Sequence, residues 1–323
     1  MHMGPHANQM SQPADAPDLS VVICTYNRAA LLRLALETLL RQQPPGLKYE
    51  VVVVDNNSTI ETQAVVDELA QYDSRLRYVR ETRQGNAYAR NTGVAQARAP
   101  IVAFLDDDVT VCDNWLEIIL PAFRETDADF IGGKVLPRWE EAPPSWLDSA
   151  NWAPIAALDY GDSPFAITSE NPVCLLTANI AFKKDLFSSH GEFSVAVQRT
   201  GDSIGSLEDH EFLTRLLRSG VIGAYVPEMI VDAYVGSERM TKAYHRRWHT
   251  GHGHFYAIMN DPEWERSSYR LLGVPGHLYR ETARNALAWL SRMLTGKTDE
   301  AFTHECRLRF FRGFFRQRQR HGP

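Results

Sequence analysis

A chain of 323 residues is long enough for one large domain or two small ones, and 44% apolar with 23% charged residues is ordinary for a globular protein. A net charge of −6 gives no reason to expect nucleic acid as the main partner. No apolar run approaches transmembrane length, and Cys24, Cys112, Cys174 and Cys306 lie too far apart for a CxxC pair or a disulfide framework, which suggests a reducing compartment.

Residues 1–18 are rich in Pro, Gln, His and Ala, lack the apolar core of a signal peptide, and read as a disordered tail. Regularity begins at Leu19. Leu19–Cys24 reads as a strand, and Ala30–Gln42 carries leucines and alanines at helical spacing. Glu50–Val54, with four consecutive valines, reads as a strand buried on both faces. Ser58-Thr-Ile-Glu61 has the form of a capping box opening a helix to about Tyr72. A short strand at Leu76–Arg80, a helix near Asn86–Ala97 and a strand ending at Asp106 follow. Then come a helix over about Asn114–Glu125 and a strand near Asp129–Val135. This alternation predicts parallel β-α-β units with helices on both sheet faces. The loops Thr25–Arg28, Asp55–Ser58 and Asp106–Asp108 should then gather along one edge, where ligands of open α/β sheets bind.

Pro137 to Pro172 holds six prolines and Trp139, Trp146 and Trp152, and reads as a long loop that either covers a pocket or packs down. Cys174–Phe182 reads as a strand, Leu207–Ser219 as a helix with a polar start, and Val221–Val226 and Met229–Tyr234 as two further strands. From Thr241 the chain reads as mostly helical, interrupted at Gly-Val-Pro275-Gly. The expected organisation is a tail (1–18), a nucleotide-sugar-binding half (19–135), an acceptor-binding half of the same domain (136–240) and a helical extension (241–323).

The most informative stretch is Ile-Val-Ala-Phe-Leu-Asp106-Asp107-Asp108. Three adjacent carboxylates at a strand end repel one another unless a cation sits among them, and a divalent ion with oxygen ligands is the economical answer. The alternative is a solvated acidic turn. Taken in order, Thr25-Tyr26-Asn27-Arg28, Asp55-Asn56-Asn57-Ser58, Gly85-Asn86-Ala-Tyr-Ala-Arg90-Asn91-Thr-Gly93 and Asp106-Asp107-Asp108 resemble the family 2 glycosyltransferases of GT-A fold. Ile131-Gly132-Gly133, Thr177-Ala178-Asn179 and Leu207-Glu208-Asp209 continue the likeness, which covers roughly residues 19–220. Each motif alone is weak; the ordered set is strong.

The resemblance implies an α/β fold of GT-A type and inverting transfer of a sugar from a nucleoside diphosphate, UDP by default, to an acceptor hydroxyl. Mg²⁺ or Mn²⁺ would stabilise the departing diphosphate as a Lewis acid. On this reading Asp108 holds the metal, with Asp106 or Asp107 reaching the ribose or orienting the metal. Asp55 accepts from the base ring, unless it only serves the helix entry. Thr25, Tyr26 and Asn27 line base and ribose, and the glycines from Gly85 to Gly93 allow close approach to the nucleotide. Arg90 contacts phosphate or pairs with the acidic loop. Asp209, rather than Glu208, is the base that takes the acceptor proton; helix capping by Ser206 and dipole complementation can coexist with that role. His210 reads as a surface histidine, and Asn179 as a residue at the phosphate or acceptor.

His245-Arg246-Arg247-Trp248 is similar to the Gln-x-x-Arg-Trp motif of the processive relatives. The arginines would neutralise diphosphate and Trp248 would flank the acceptor. His245 and His249 share a helix face, so zinc is a minor alternative. The family's histidine after the Glu-Asp helix is missing, leaving Asp232, His249, His252 or His254 as candidate third ligands. The basic, phenylalanine-rich stretch 306–320 either lies on an anionic membrane, the favoured reading, or packs onto the domain; RNA binding is a poor third. The resemblance further implies a glycan or lipid-linked acceptor, no nucleic acid, and a cytoplasmic setting at the inner membrane face. Rival readings are a nucleotidyltransferase and a non-catalytic sugar-nucleotide-binding module.

Overall fold

Four consecutive valines, Val51 to Val54, are buried in a strand that has a neighbour on each edge and helices packed against it. The surrounding architecture comes from a computed structural model that describes residues 16–59, 61–199 and 203–321; the expected tail falls almost wholly outside them. In chain order the first half runs β1 (Leu19–Thr25), α1 (Ala29–Leu40), β2 (Tyr49–Asp55), α2 (Thr62–Ala70), β3 (Leu76–Arg80), α3 (Asn86–Gln96), β4 (Ile101–Asp106), β5 (Val109–Val111), α4 (Trp115–Thr126) and β6 (Phe130–Trp139). The second half runs β7 (Phe165–Ile167), β8 (Asn179–Lys183), α5 (Asp185–His190), α6 (Glu208–Arg218), β9 (Gly223–Val235), α7 (Lys242–Met259), β10 (Arg270–Leu271), β11 (Val274–Pro275), α8 (Gly276–Leu294) and α9 (Thr298–His321).

The main sheet has the order β3-β2-β1-β4-β8-β6-β9-β5, with β7 also on β9. Strands β3, β2, β1 and β4 are mutually parallel, as are β6 and β9, so the α/β class and the mostly parallel sheet agree with the sequence. The second half is mixed. Strand β8 inserts antiparallel between β4 and β6, and its Phe182 meets Phe104 and Phe130 in the core.

Three boundaries differ from expectation for identifiable reasons. The two strands expected at 221–226 and 229–234 are one strand, β9, continuous across Pro227. Its partner β6 slips register between Gly132 and Lys134, and a Cβ on Gly133 would stand 1.9 Å from the Met229 carbonyl oxygen. The expected strand from Cys174 starts only at Asn179. The capping box does not form: α2 begins at Thr62 with no side-chain cap, and Ser58 Oγ instead accepts from the Asn27 N–H.

Phe310, Phe311 and Phe314 of α9 are buried against Ala257 of α7, Val274 and Leu278. Residues 306–320 therefore do not present their phenylalanines to a membrane; the sequence alternative, packing onto the protein, is what the structure contains. The packing is close enough to need glycine on both sides. A Cβ on Gly253 would lie 2.0 Å from the Phe310 carbonyl oxygen, and one on Gly313 would lie 1.9 Å from that of Thr250. No helix among the described residues is long and apolar enough to cross a membrane. Phe311→Ala should cost about 3–5 kcal/mol through the cavity it leaves, and thermal or urea unfolding measures it; an unchanged transition would contradict the burial of this helix.

Candidate active site

Parallel pairing in register puts Thr25 opposite Asp55 and Cys24 opposite Asp106. The three polar loops thus share the carboxyl edge of the sheet. Within the acidic triplet each carboxylate has a different environment. Asp107 is buried and accepts from Thr25 Oγ1 at 2.8 Å and Arg28 Nη1 at 3.2 Å. Burial, set against Arg28 and reinforced by Asp108, pushes its carboxyl up to about 6. Asp108 pairs with Arg28 at 2.9 Å and Arg239 at 3.7 Å. Asp106 faces the cleft, and burial raises its carboxyl despite the charge of Arg90.

The second acidic centre is carried by α6. Phe212, one turn in, stacks on Phe187 at 4.9 Å and contacts Phe193 at 4.8 Å, which seats the helix against the sheet. Its first turn then brings Glu208 and Asp209 to the cleft, where their charges complement the helix dipole. The N-cap is Leu207, without a side-chain cap, so Ser206 does not play the capping part expected of it. Arg90 joins the two centres: it is buried, 2.5 Å from Glu208 Oε1 and 3.7 Å from Asp106 Oδ1. Against the burial that would raise it, Arg90 holds Glu208 below the usual carboxylate range. Asp209 has the opposite fate: burial first, then the charge of Glu208, push it up to about 6.

Asp106, Arg90, Glu208 and Asp209 line one cleft of about 510 Å³. A second cleft of about 650 Å³, lined by Arg28, Asp108 and Arg247, shares Asp106, Arg199, Arg239 and Tyr244 with the first. The far wall of the first cleft is aromatic: Trp152 and Tyr160 from the proline-rich segment, and Tyr244, Trp248 and Tyr256 from α7. That segment therefore both lines the cleft and packs down, since Trp139, Trp146 and Trp152 also lie against a small core around Ile155.

Several expected residues stand elsewhere. Asn179 is fully buried; its amide donates to the Lys134 and Met229 carbonyls and accepts from Trp115 Nε1, so it does not reach the cleft. Arg246 points away and is held by Glu305 of α9 at 2.7 Å. His210 is no surface residue, because its Nε2 sits 3.1 Å from the Tyr256 hydroxyl on the cleft wall. Gly85 (φ +142°) lies under Gln198, whose side chain a Cβ would strike, and Gly93 makes room for Val22. Both glycines make room for close internal packing. Asp55 is buried, accepting from the Ser58 N–H and the Tyr78 hydroxyl. Thr25 is engaged with Asp107, Asn27 Oδ1 accepts from the Thr59 N–H, and the Tyr26 ring is exposed.

The residues missed by sequence reasoning are Arg199, Arg239, Tyr244 and Tyr256. Arg239 follows β9 and meets Asp108 only because β9 pairs with β5, a contact with no local signature. The candidate third metal ligands stand in different surroundings. Asp232 is exposed, on the strand face opposite Ala233, which lines the cleft. His252 has Nδ1 3.2 Å from the Gly205 carbonyl and its ring stacked on Trp248, and burial pushes it down to about 3. Burial likewise pushes His245 and His249 down to about 4. No group of three or more His, Cys, Asp or Glu able to hold a metal occurs among the described residues. The hard oxygen donors of Asp106 and Asp108 therefore fit a Mg²⁺ or Mn²⁺ ion that shares its coordination with substrate phosphates and water, not one caged by protein.

Comparison with known proteins agrees with this architecture. Residues 20–190 match the family described as glycosyl transferase family 2, and the chain belongs to that family. It is 37% identical over 120 residues to glycosyltransferase AglE of Haloferax volcanii, covering 37% of this chain and 40% of that protein. It is 25% identical over 247 residues to the succinoglycan biosynthesis protein ExoM of Rhizobium meliloti, covering 75% of each. The chain spans 40% and 58% of the length of two curated relatives from Haloferax volcanii. Among solved structures, the mannosyltransferase PcManGT of Pyrobaculum calidifontis with GDP-Man and Mn²⁺ superposes with a TM-score of 0.57 at 20% identity, over 90% of this chain and 86% of that one. S. aureus TarS 1–349 with UDP-GlcNAc superposes with a TM-score of 0.54 at 18% identity, over 89% and 90%. These likenesses establish the GT-A type of fold.

A testable consequence follows from Asp209. Its folded carboxyl, near 6, keeps its proton to higher pH than the ordinary value of 3.8, so the folded state loses stability as pH rises between these values. Asp209→Asn, neutral throughout, should be more stable than the parent above pH 6, by about 1–3 kcal/mol, and should lack the decline. Thermal unfolding across pH 4–8 reads this, and parallel profiles for the two proteins would contradict the buried, raised carboxyl.

Proposed function

We propose that the protein is an inverting glycosyltransferase. It moves a sugar from a nucleoside diphosphate, with UDP as the default, to an acceptor hydroxyl in polysaccharide or lipid-linked glycan assembly. The observation that carries the reading is one cleft lined by both Asp106 and Asp209, with Arg90 bridging Asp106 and Glu208. Names of relatives add support: ExoM is a succinoglycan biosynthesis protein, and a Campylobacter jejuni relative, 34% identical over 118 residues, is named a glucosyltransferase for an undecaprenol-linked glycan.

The donor would bind against residues 19–135, with the base and ribose near Thr25, Tyr26, Asn27 and Asp55 and the diphosphate in the arginine-rich second cleft. Asp55 would serve the base through its remaining lone pairs, since both oxygens already accept within the protein. Asp108 and Asp106 would hold Mg²⁺ or Mn²⁺, which supplies positive charge to the diphosphate. Arg28, Arg199, Arg239 and Arg247 add further positive charge around the leaving group. The acceptor would enter along residues 136–240 and the aromatic wall of α7. Asp209 takes the proton of the acceptor hydroxyl, the freed oxygen pair forms the bond to the anomeric carbon, and the bond to the diphosphate oxygen breaks with its electrons leaving on that oxygen. A carboxyl near 6 is ionised at neutral pH yet basic enough for this step.

Incubation with a panel of sugar nucleotides and Mn²⁺, followed by product detection, is the test. Released nucleoside diphosphate supports transfer, released pyrophosphate supports a nucleotidyltransferase instead, and binding without either product supports a non-catalytic module. Asp209→Asn should lower kcat by about 10²–10⁴-fold while sparing donor binding, and kcat/KM should rise with pH through about 6. Near-parental transfer by that variant would remove Asp209 as the base. Asp108→Ala should abolish metal-dependent turnover.

A further inference from the structure

Thirteen large apolar side chains are exposed among the described residues, and seven of them fall within residues 269–294. Two features account for six of them, Met293 being the seventh. On α8, Ala283, Leu287, Leu290 and Leu294 recur at the spacing of one helix face; the three leucines are 69%, 48% and 79% exposed. At the β10–β11 turn, Tyr269, Leu271 and Leu272 project into solvent, and Leu272 does so from a left-handed backbone (φ +50°) that a leucine seldom adopts. Apolar surface concentrated in this way marks an interaction site.

The charge around it points to the occupant. Residues 260–321, everything after α7 that is described, hold twelve Arg and Lys against seven Asp and Glu, a local +5 in a chain of net −6. Arg280 and Arg284 are exposed on the flank of the leucine stripe. The carboxylate of the same helix, Glu281, is turned to Arg266 and Arg307. A second copy of the chain laid on this face would bring arginine against arginine. An anionic lipid surface complements it: leucines enter the acyl boundary, arginines reach phosphate headgroups, and a tyrosine sits at the interface.

We propose that the outer face of α8 together with the β10–β11 turn docks this protein on an anionic lipid bilayer. This is a different surface from the phenylalanines of α9, which are buried. It stands on exposure and charge and is independent of the transferase reading. The test is flotation of the full chain with vesicles of phosphatidylcholine alone and of a phosphatidylcholine–phosphatidylglycerol mixture. The parent should float with the anionic vesicles and be released by high salt. Leu287→Glu combined with Leu290→Glu should cut the bound fraction about tenfold or more without shifting the thermal transition, whereas Tyr72→Glu, exposed on the distant α2–β3 loop, should float like the parent. A parent that stays in the soluble fraction, or a double variant that floats equally well, overturns the proposal. So does a parental dimer that the double variant dissociates in sedimentation while neither form binds vesicles, an outcome that assigns the face to a second copy.

Discussion

Arg90 is a buried cation between two acids on different elements, and the arrangement of the cleft depends on it. It comes from α3, packed behind β1 through Gly93, and reaches Glu208 on α6 and Asp106 at the end of β4. Without a counter-charge, Glu208 would be an isolated carboxylate out of water, a situation proteins avoid by protonation or rearrangement. With Arg90 in place Glu208 stays ionised, and its charge keeps the neighbouring Asp209 proton-hungry. One guanidinium thus fixes the separation of the two acidic centres and divides their chemistry. One carboxylate of the Glu-Asp pair is spent on structure and the other is left basic.

A similar division runs through the acidic triplet. Asp107 turns inward to Thr25 and Arg28 and holds two loops together. Asp106 and Asp108 turn toward the clefts. Three adjacent residues therefore give one internal brace and two outward oxygen donors, a consequence of alternation giving way to a tight turn between β4 and β5.

The first half was legible in the sequence because its signals are local. Valine runs, helical leucine spacing and polar strand ends specify parallel units, and register then aligns Thr25, Asp55 and Asp106 without further information. The losses came where long-range contacts decide. Asn179 looked functional but is consumed by backbone carbonyls of β6 and β9. His210 looked peripheral until α7 folded across it. Arg246 and Arg247 are neighbours in sequence, yet a helix turns them about 100° apart, and only one faces the cleft. Arg199 and Arg239 carry no motif at all. Gly85 and Gly93 permit a close internal approach, to Gln198 and Val22, that no local pattern announces.

Helix α7 is shared property. One side supplies Tyr244, Trp248 and Tyr256 to the cleft, and the other touches α9 backbone to backbone at Gly253 and Gly313. Contacts that close leave no compliant layer of side chains to absorb a displacement. Helix α9 is accordingly a backing plate for the aromatic wall, and a shift of its backbone would be transmitted to the shape of a cleft formed by residues that precede it.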